Sequence, residues 1–262
     1  MPDHHTALVT GASSGLGRAL ALALAAPGHT LLLGGRDAGR LDAVAAACRA
    51  QGATVRPQRL DVRDAAAMAG WIAAAGRLDL VIANAGISAG SFDGGETAAQ
   101  TRAIFAVNLD GMLNTALPAL AAMRAQPPGA DGVRGRIAVV ASIAALLAHP
   151  GAPAYGAAKA AADAWTVATA PAAWRDGVRL TSLCPGFVRT PMTAGNRFAM
   201  PGLMDADRAA RIMLHAIAAG QVRHAFPWWI AAAARILGAL PPGATGRLLA
   251  RMPGKGGLPA GG

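Results

Sequence analysis

Three side chains near the middle of the chain have the types and spacing of an acid–base group. Tyr155 and Lys159 stand four residues apart, so on a helix both side chains project from one face. A neighbouring lysine ammonium lowers the pKa of a tyrosine, which is about 10 in the free amino acid. Ser142 follows the apolar run 137–141 and could hold a carbonyl or alcohol oxygen beside the phenol. Such a set moves a proton at a hydroxyl-bearing carbon, and it needs a hydride partner.

The N-terminal part of the chain supplies a place for that partner. The apolar run 6–10 leads into Thr10-Gly11-Ala12-Ser13-Ser14-Gly15-Leu16-Gly17, and an alanine- and leucine-rich helical stretch follows. A strand, a glycine turn and a helix N-terminus bring backbone N–H groups to one point, which attracts a pyrophosphate. The spacing is Gly-x-x-x-Gly-x-Gly, not the Gly-x-Gly-x-x-Gly of the long-chain dehydrogenases. Taken alone, the motif also fits a tight strand-to-helix turn without a ligand.

Apolar runs with strand character alternate with helical stretches along the chain. Strands are predicted near 6–10, 30–35, 55–60, 79–83, 136–141 and 179–184, and helices near 16–26, 37–51, 64–76, 97–124, 154–175 and 205–219. This alternation predicts an α/β fold, a doubly wound parallel sheet of Rossmann-like type with helices on both faces. We expect a single Rossmann-type catalytic domain over residues 1–225. Residues 226–262 are expected to form an amphipathic, basic C-terminal extension with a disordered end.

Composition limits the possible classes of function. The 262 residues are 53% hydrophobic and 15% charged, which excludes a chain that is disordered throughout. Lys and Arg exceed Asp and Glu by 24 to 14, but the arginines are scattered and aromatic residues are few, so we expect no nucleic-acid partner. Cys48 and Cys184 have no metal-ligand spacing and form no disulfide framework. We therefore expect no metal and a cytoplasmic location.

In this order, the motifs resemble the short-chain dehydrogenase/reductase family from Thr6 to about Gln221. Besides the glycine turn and the Ser142/Tyr155/Lys159 set, the resemblance is carried by Asp61-Val62, Ala83-Asn84-Ala85-Gly86, Val107-Asn108 and Pro185-Gly186-Phe187-Val188-Arg189-Thr190. It implies an oxidoreductase that transfers a hydride between a nicotinamide cofactor and a small carbonyl compound or secondary alcohol. A nucleotide-binding regulator without turnover is an alternative that predicts the loss of a catalytic residue, and none is lost.

The resemblance implies a role for each of four catalytic residues. Tyr155 gives a proton to the substrate oxygen during reduction and takes it during oxidation. Lys159 lowers the pKa of Tyr155 and holds the nicotinamide ribose. Ser142 binds the substrate oxygen, and Asn108 supports a water chain to the lysine.

The resemblance also implies a set of cofactor contacts. Asp61 is expected at the adenine amino group with the Val62 backbone beside it, whereas Val188 and Thr190 are expected near the nicotinamide amide. The complete set is Gly11, Ser13, Ser14, Gly15, Leu16, Gly17, Arg36, Asp61, Val62, Asn84, Ala85, Gly86, Tyr155, Lys159, Pro185, Gly186, Val188 and Thr190.

The end of the second strand bears on the choice between NAD and NADP. An acidic side chain there accepts from the ribose 2′-hydroxyl, whereas an arginine suits a 2′-phosphate. Gly35 stands where NAD-using relatives carry aspartate, and Arg36 follows directly. NADP(H) is therefore favoured, with NAD(H) as the alternative.

Pro171 departs from the family pattern. It should remove a hydrogen bond from the helix that carries Tyr155 and should kink or end that helix. The family often assembles through this helix and the long one before it. The homodimer or homotetramer that the resemblance implies is therefore in doubt.

The parts that select the substrate are less specific in sequence. We expect an apolar, adaptable lid over 190–204, with help from 88–94 and 144–153. In the extension, one helical face carries Trp229, Ile236, Leu237 and Leu240. The run is too short to span a bilayer. It either packs over the active site or a neighbouring subunit, or lies on an anionic membrane as a peripheral contact that would favour lipid-like substrates.

Overall fold

A seven-stranded parallel sheet forms the core of the molecule in a computed structural model that describes residues 5–91, 95–196, 198–249 and 257. The strands are Thr6–Thr10 (β1), Thr30–Gly35 (β2), Thr54–Arg59 (β3), Leu80–Ala83 (β4), Gly135–Val140 (β5) and Val178–Pro185 (β6), then the separate short pair Val188–Arg189 (β7) and Met204–Asp205 (β8), and last Arg223–Phe226 (β9). The sheet order is β3-β2-β1-β4-β5-β6-β9, and every pairing is parallel. The predicted fold class is confirmed.

Helices cover both faces of this sheet. They are Gly15–Leu24 (α1), Ala38–Ala50 (α2), Ala65–Ala73 (α3), Ala98–Phe105 (α4), Gly111–Ala125 (α5), Pro153–Arg175 (α6), Pro191–Ala194 (α7), Ala206–Ala218 (α8), Trp228–Gly238 (α9) and Pro242–Leu249 (α10). Apolar residues of α1, α2 and α8 pack on one face of the sheet, and those of α3, α5 and α6 pack on the other. Strand residues alternate between the two clusters because successive side chains point to opposite faces.

The helix predicted over 97–124 is interrupted. A π-helical turn, Ala106–Asp110, separates α4 from α5 and carries Asn108. The interruption corrects the expectation of one regular helix. The whole stretch Ala98–Ala125 is long and apolar enough to cross a bilayer by length and composition, but half of it is buried inside the fold. It is a core helix, since α5 packs against the sheet through Met112, Leu120 and Met123.

Pro171 does not end the helix that carries Tyr155. Helix α6 continues through Pro171 to Arg175, and the Pro171 ring lies on its exposed side. Of the two expected effects, a kink or an end, the end is wrong, because one lost hydrogen bond does not offset the burial of Ala170 and Ala173 against the sheet.

Strand β9 forms one edge of the sheet, and the sequence analysis did not predict it. The catalytic domain was expected to end at residue 225, but β9 continues past that position to Phe226. The strand pairs with β6 from Ser182 to Pro185. Its four residues, Arg-His-Ala-Phe, lack the apolar run of an interior strand. Helix α9 then packs Ala231 and Ala234 against the 3₁₀ turn Ile143–Leu146. The predicted disordered end falls outside the described residues, apart from Gly257.

We expect Pro171→Ala to raise the free energy of unfolding by about 1–2 kcal/mol, because alanine restores the helical N–H donor at an exposed position. Alanine also makes the unfolded chain more flexible, but this opposing free-energy cost is smaller. The measurement is urea unfolding followed by circular dichroism. Pro153→Ala is the matched control, since Pro153 is at the start of α6, where no N–H partner is lost. Its stability should stay within about 0.5 kcal/mol. A Pro171→Ala variant less stable than the parent contradicts the account.

Candidate active site

A cleft of about 590 Å³ opens at the carboxyl ends of the parallel strands. It lies where the strand order reverses between β1 and β4, the position at which doubly wound sheets bind ligands. Every cofactor-binding residue named from the sequence lines this cleft. Of the four catalytic residues, Ser142, Tyr155 and Lys159 line it, whereas Asn108 lies behind its wall.

The glycine turn brings backbone groups against the floor of the cleft. Gly11 has φ +65°, a left-handed conformation that favours glycine. A Cβ at Gly17 would overlap the Gly11 carbonyl oxygen, so α1 can begin this close to β1 only with glycine there. Ser14 precedes α1 without a side-chain hydrogen bond to its first turn, and that turn carries no acidic residue. Its N–H groups therefore face the cleft as donors for an anion.

Asn84 fixes the glycine turn to the end of β4. Its Nδ2 donates to the Thr10 carbonyl at 3.0 Å, and the Asn84 backbone N–H donates to Thr10 Oγ1 at 3.1 Å. These bonds join the ends of β1 and β4 and hold the cleft open between them.

Tyr155 and Lys159 lie one turn apart on α6 and face the end of β5. Lys159 is 5% exposed, and its Nζ donates to the Val140 carbonyl at 2.7 Å. The same nitrogen lies 5.9 Å from the centroid of the Tyr155 ring. Ser142 caps the 3₁₀ turn after β5 by accepting from the Ala144 N–H at 3.1 Å, and its hydroxyl lies close enough to Tyr155 to influence the pKa of the phenol. The predicted serine, tyrosine and lysine are thus brought together.

Burial controls the ionisation of both groups. Desolvation raises the pKa of Tyr155, and the nearby Ser142 hydroxyl opposes that rise. Burial has the larger effect in this structure, so the pKa of Tyr155 lies above its usual value, and the expected lowering by Lys159 stays a prediction. Burial also lowers the pKa of Lys159, to about 8.

The Asn108 side chain forms hydrogen bonds with the backbone of Ile87 next to the cleft. From the π-helical turn, its Nδ2 donates to the Ile87 carbonyl at 2.9 Å and its Oδ1 accepts from the Ile87 N–H at 2.8 Å. A Cβ at Gly86 would lie 3.1 Å from Asn108 Oδ1 and 3.5 Å from Lys159 Nζ, so both side chains border the same glycine. The expected water chain to the lysine stays a prediction.

A buried polar group that sequence reasoning missed holds α6 one turn beyond Lys159. Asp163 accepts from Ser182 Oγ at 2.6 Å and forms a two-point ion pair with Arg223, at 2.9 and 2.7 Å. Asp163 is buried, so its charge requires this pairing. The group joins α6 to β6 and β9. Its members are 19 and 60 residues apart, and no local motif indicates the pairing.

The end of the cleft beside β2, where the resemblance places the adenosine, is rich in arginine. Arg36 and Arg40 both line it. The Asp37 carboxylate caps α2 through the Arg40 N–H at 2.9 Å and pairs with Arg40 Nε at 2.8 Å, and these contacts hold its pKa below the usual range. Asp61 is likewise paired with Arg63 at 2.6 Å, chiefly through side-chain hydrogen bonds that lower its pKa. Sequence reasoning missed Arg40 and Arg63, although their spacings of three and two from an aspartate were a signal for Asp–Arg pairs.

Residues between the short strands β7 and β8 border the open side of the cleft. These strands pair in parallel on either side of the described residues 190–196 and 198–203, and Thr190 and Thr193 form a reciprocal cap on α7. Pro191, Met192 and Thr193 line the cleft, so this part of the expected lid does border it. A Cβ at Gly202 would lie 2.9 Å from Ile230 Cδ1 and 3.2 Å from Trp229 Cζ2. Helix α9 therefore supports this loop from behind.

The residues present fit a dinucleotide with a nicotinamide ring. The uncapped helix N-terminus suits a pyrophosphate, the arginines suit a phosphorylated ribose, and a buried cation lies beside a phenol at the other end. Within the described ranges, no cluster of three or more His, Cys, Asp or Glu side chains could hold a metal ion.

A family model described as short chain dehydrogenase matches residues 5–200. The chain belongs to the short-chain dehydrogenase/reductase family. It is 38% identical over 249 residues to an uncharacterized oxidoreductase of Myxococcus xanthus, covering 91% of this chain and 94% of that protein. A putative ketoacyl reductase of the monensin polyketide synthase of Streptomyces virginiae is 38% identical over 71% of each chain. A short-chain dehydrogenase from Sphingobium yanoikuyae in complex with NADPH superposes with a TM-score of 0.78 and 26% identity, covering 94% and 96% of the two chains.

Membership in the short-chain family makes this chain an NAD(P)-dependent dehydrogenase/reductase. The family model ends at residue 200, before β8, β9 and the two helices α9 and α10. The relative from Myxococcus xanthus and the structure from Sphingobium yanoikuyae nevertheless match more than nine tenths of the chain, so much of this last part is shared with them.

The lowered pKa of Lys159 predicts an alkaline limit to catalysis. In the mechanism that the family resemblance implies, the ammonium form stabilises the phenolate that remains when Tyr155 gives up its proton. Above about pH 8 the lysine loses its charge, so kcat/KM for carbonyl reduction should fall about tenfold per pH unit. The measurement is kcat/KM for the reduced cofactor from pH 6 to 10, with circular dichroism at each pH to show that the protein stays folded. A flat profile to pH 10 contradicts the prediction.

Proposed function

We propose that this protein is an NADP(H)-dependent reductase of a carbonyl compound, or in reverse a dehydrogenase of a secondary alcohol, with Tyr155 as the acid and base. The observation that carries the proposal is that Tyr155, Ser142 and the buried Lys159 line one cleft, with the Lys159 Nζ 5.9 Å from the centroid of the Tyr155 ring. When bound, the nicotinamide supplies or accepts the hydride.

Each member of this set has its own task at the substrate oxygen. Tyr155 donates its proton to that oxygen during reduction and removes it during oxidation. The Ser142 hydroxyl donates a hydrogen bond to the same oxygen as negative charge develops on it. Lys159, fixed by the Val140 carbonyl, stabilises the tyrosinate and can reach the nicotinamide ribose hydroxyls. Asn108 positions the Ile87 backbone beside the reacting centre.

The preference for NADP(H) rests on the adenosine end. Gly35 carries no carboxylate, and a Cβ there would lie 3.3 Å from Ser13 Oγ, so the Ser13 hydroxyl and Arg36 border this part of the cleft. The nearest carboxylates, Asp37 and Asp61, are each neutralised by an arginine of their own. The short-chain dehydrogenase from Sphingobium yanoikuyae was solved with NADPH. These features favour a 2′-phosphate over a 2′-hydroxyl.

We further propose that copies of the chain pair through α5 and α6 into a homodimer or homotetramer. Both helices leave a large apolar side chain exposed, Leu117 on α5 and Trp174 on α6, and α6 is not cut short by Pro171. Both cysteines are free and buried, which supports a reducing, cytoplasmic setting.

Tyr155→Phe tests the proton transfer. Removing one hydroxyl should lower kcat by roughly 10²–10⁴-fold, the usual contribution of a positioned acid or base. The Kd for NADPH, measured by cofactor fluorescence, should change less than about threefold, because the ring still fills its place. Turnover within tenfold of the parent would falsify the assigned role.

Arg36→Ala tests the cofactor preference. Loss of a charged contact to the 2′-phosphate should raise KM for NADPH roughly ten- to a hundredfold, the kinetic equivalent of a charge-assisted hydrogen bond. KM for NADH should stay nearly constant. Arg102→Ala is the matched control, since Arg102 is exposed on α4 and does not line the cleft. An equal loss with both cofactors would show that Arg36 does not read the 2′-phosphate.

A further inference from the structure

The outer face of α9 exposes an unusual group of large apolar side chains. Trp228, Ala232 and Ile236 follow one another at helical spacing, so they lie on one face. Trp228 is 78% exposed and Ile236 is 68% exposed. Trp229 and Leu240 are also exposed, and Leu248 of α10 is 55% exposed. We call these five large residues the C-terminal apolar face: Trp228, Trp229, Ile236, Leu240 and Leu248.

The orientation of this face is fixed by the packing of the opposite side of α9. Ala231 and Ala234 are buried against Ile143. A Cβ at Gly238 would lie 2.5 Å from the Leu146 carbonyl oxygen, so the helix is in close contact with the turn that follows Ser142. The Thr245 hydroxyl bonds the Leu237 carbonyl at 3.1 Å and connects α10 to α9. The helix cannot turn its tryptophans inward without breaking these contacts.

The charged residues of the C-terminal extension all have one sign. No aspartate or glutamate occurs after Asp207, while residues 226–262 contain Arg235, Arg247, Arg251 and Lys255. Arg235 and Arg247 are exposed, and no carboxylate in the described part of the chain forms an ion pair with them. The whole chain carries a formal charge of +10.

We propose that the C-terminal apolar face docks this enzyme on an anionic membrane surface. Tryptophan, with a large apolar ring and one N–H donor, is favoured at the boundary between headgroups and acyl chains. The arginines nearby would meet anionic headgroups, each with a favourable electrostatic contribution. A second copy of the chain fits less well, because a two-fold contact through this face would bring like-charged arginines together with no acid in the extension to pair with them.

Docking would also place the active site at the interface. Trp229 and Ile230 contact Gly202 in the loop that closes the cleft, and α9 contacts the turn after Ser142. A substrate dissolved in the membrane would then reach the cleft without crossing bulk water. The docking itself does not depend on the proposed reaction.

Vesicle flotation of the full-length protein tests the inference. At low salt, vesicles of phosphatidylglycerol and phosphatidylcholine should carry the protein, and pure phosphatidylcholine vesicles should carry at least tenfold less. Trp228→Ser/Ile236→Ser should lower binding to the anionic vesicles at least tenfold. Arg235→Glu should also weaken it, whereas the matched control Arg56→Glu should have a smaller effect, because Arg56 is exposed on β3 at the other edge of the sheet.

Two further measurements, of turnover and of oligomeric state, accompany the flotation assay. Turnover of a water-soluble ketone by Trp228→Ser/Ile236→Ser should equal that of the parent, which separates failure of docking from failure of the reaction. Sedimentation analysis reports the oligomeric state. No flotation of the parent, or unchanged flotation of the double variant, overturns the inference. A smaller oligomer for the double variant, with no vesicle binding by the parent, would instead assign the face to a second copy of the chain.

Discussion

The site depends on one buried contact, the hydrogen bond from the Lys159 ammonium to the Val140 carbonyl. A cation that is 5% exposed needs a partner, and the carbonyl at the end of β5 supplies it. The bond fixes the register of α6 against the sheet and so decides where Tyr155, one turn earlier, meets Ser142. The same burial lowers the lysine pKa and raises that of the tyrosine, so position and proton affinity have a common physical cause.

Helix α6 has a second polar anchor on its next turn. Asp163 joins it to Ser182 and to Arg223 on the edge strand β9. A buried ion pair contributes little net stability, but removing one partner is costly because an uncompensated charge remains. Two consecutive turns of α6 are therefore held by directional contacts and not by apolar packing alone, which limits sliding of the helix along the sheet. Such rigidity suits a helix that presents a catalytic hydroxyl.

The last part of the chain packs against the elements that border the site. Helix α9 packs on the turn after Ser142 and on the loop that borders the cleft, so residues beyond the family model shape the entrance to the site. Its inner face is alanine, which allows close approach, and its outer face is tryptophan and isoleucine. The alanines occupy the inner face because only small side chains fit between α9 and the 3₁₀ turn.

The sequence alone determined six of the seven strands of the sheet, the glycine turn and the Ser142, Tyr155 and Lys159 set, because apolar runs and short spacings encode them locally. Local pattern could not show that Asn108 lies in a π-helical turn, that α6 passes through Pro171, or that Asp163 pairs with Arg223 60 residues away. Tertiary packing decided these features, since burial in the core outweighs local preference and selects partners that are distant in the chain. It also decided which side of α9 faces water, because both sides are apolar in sequence.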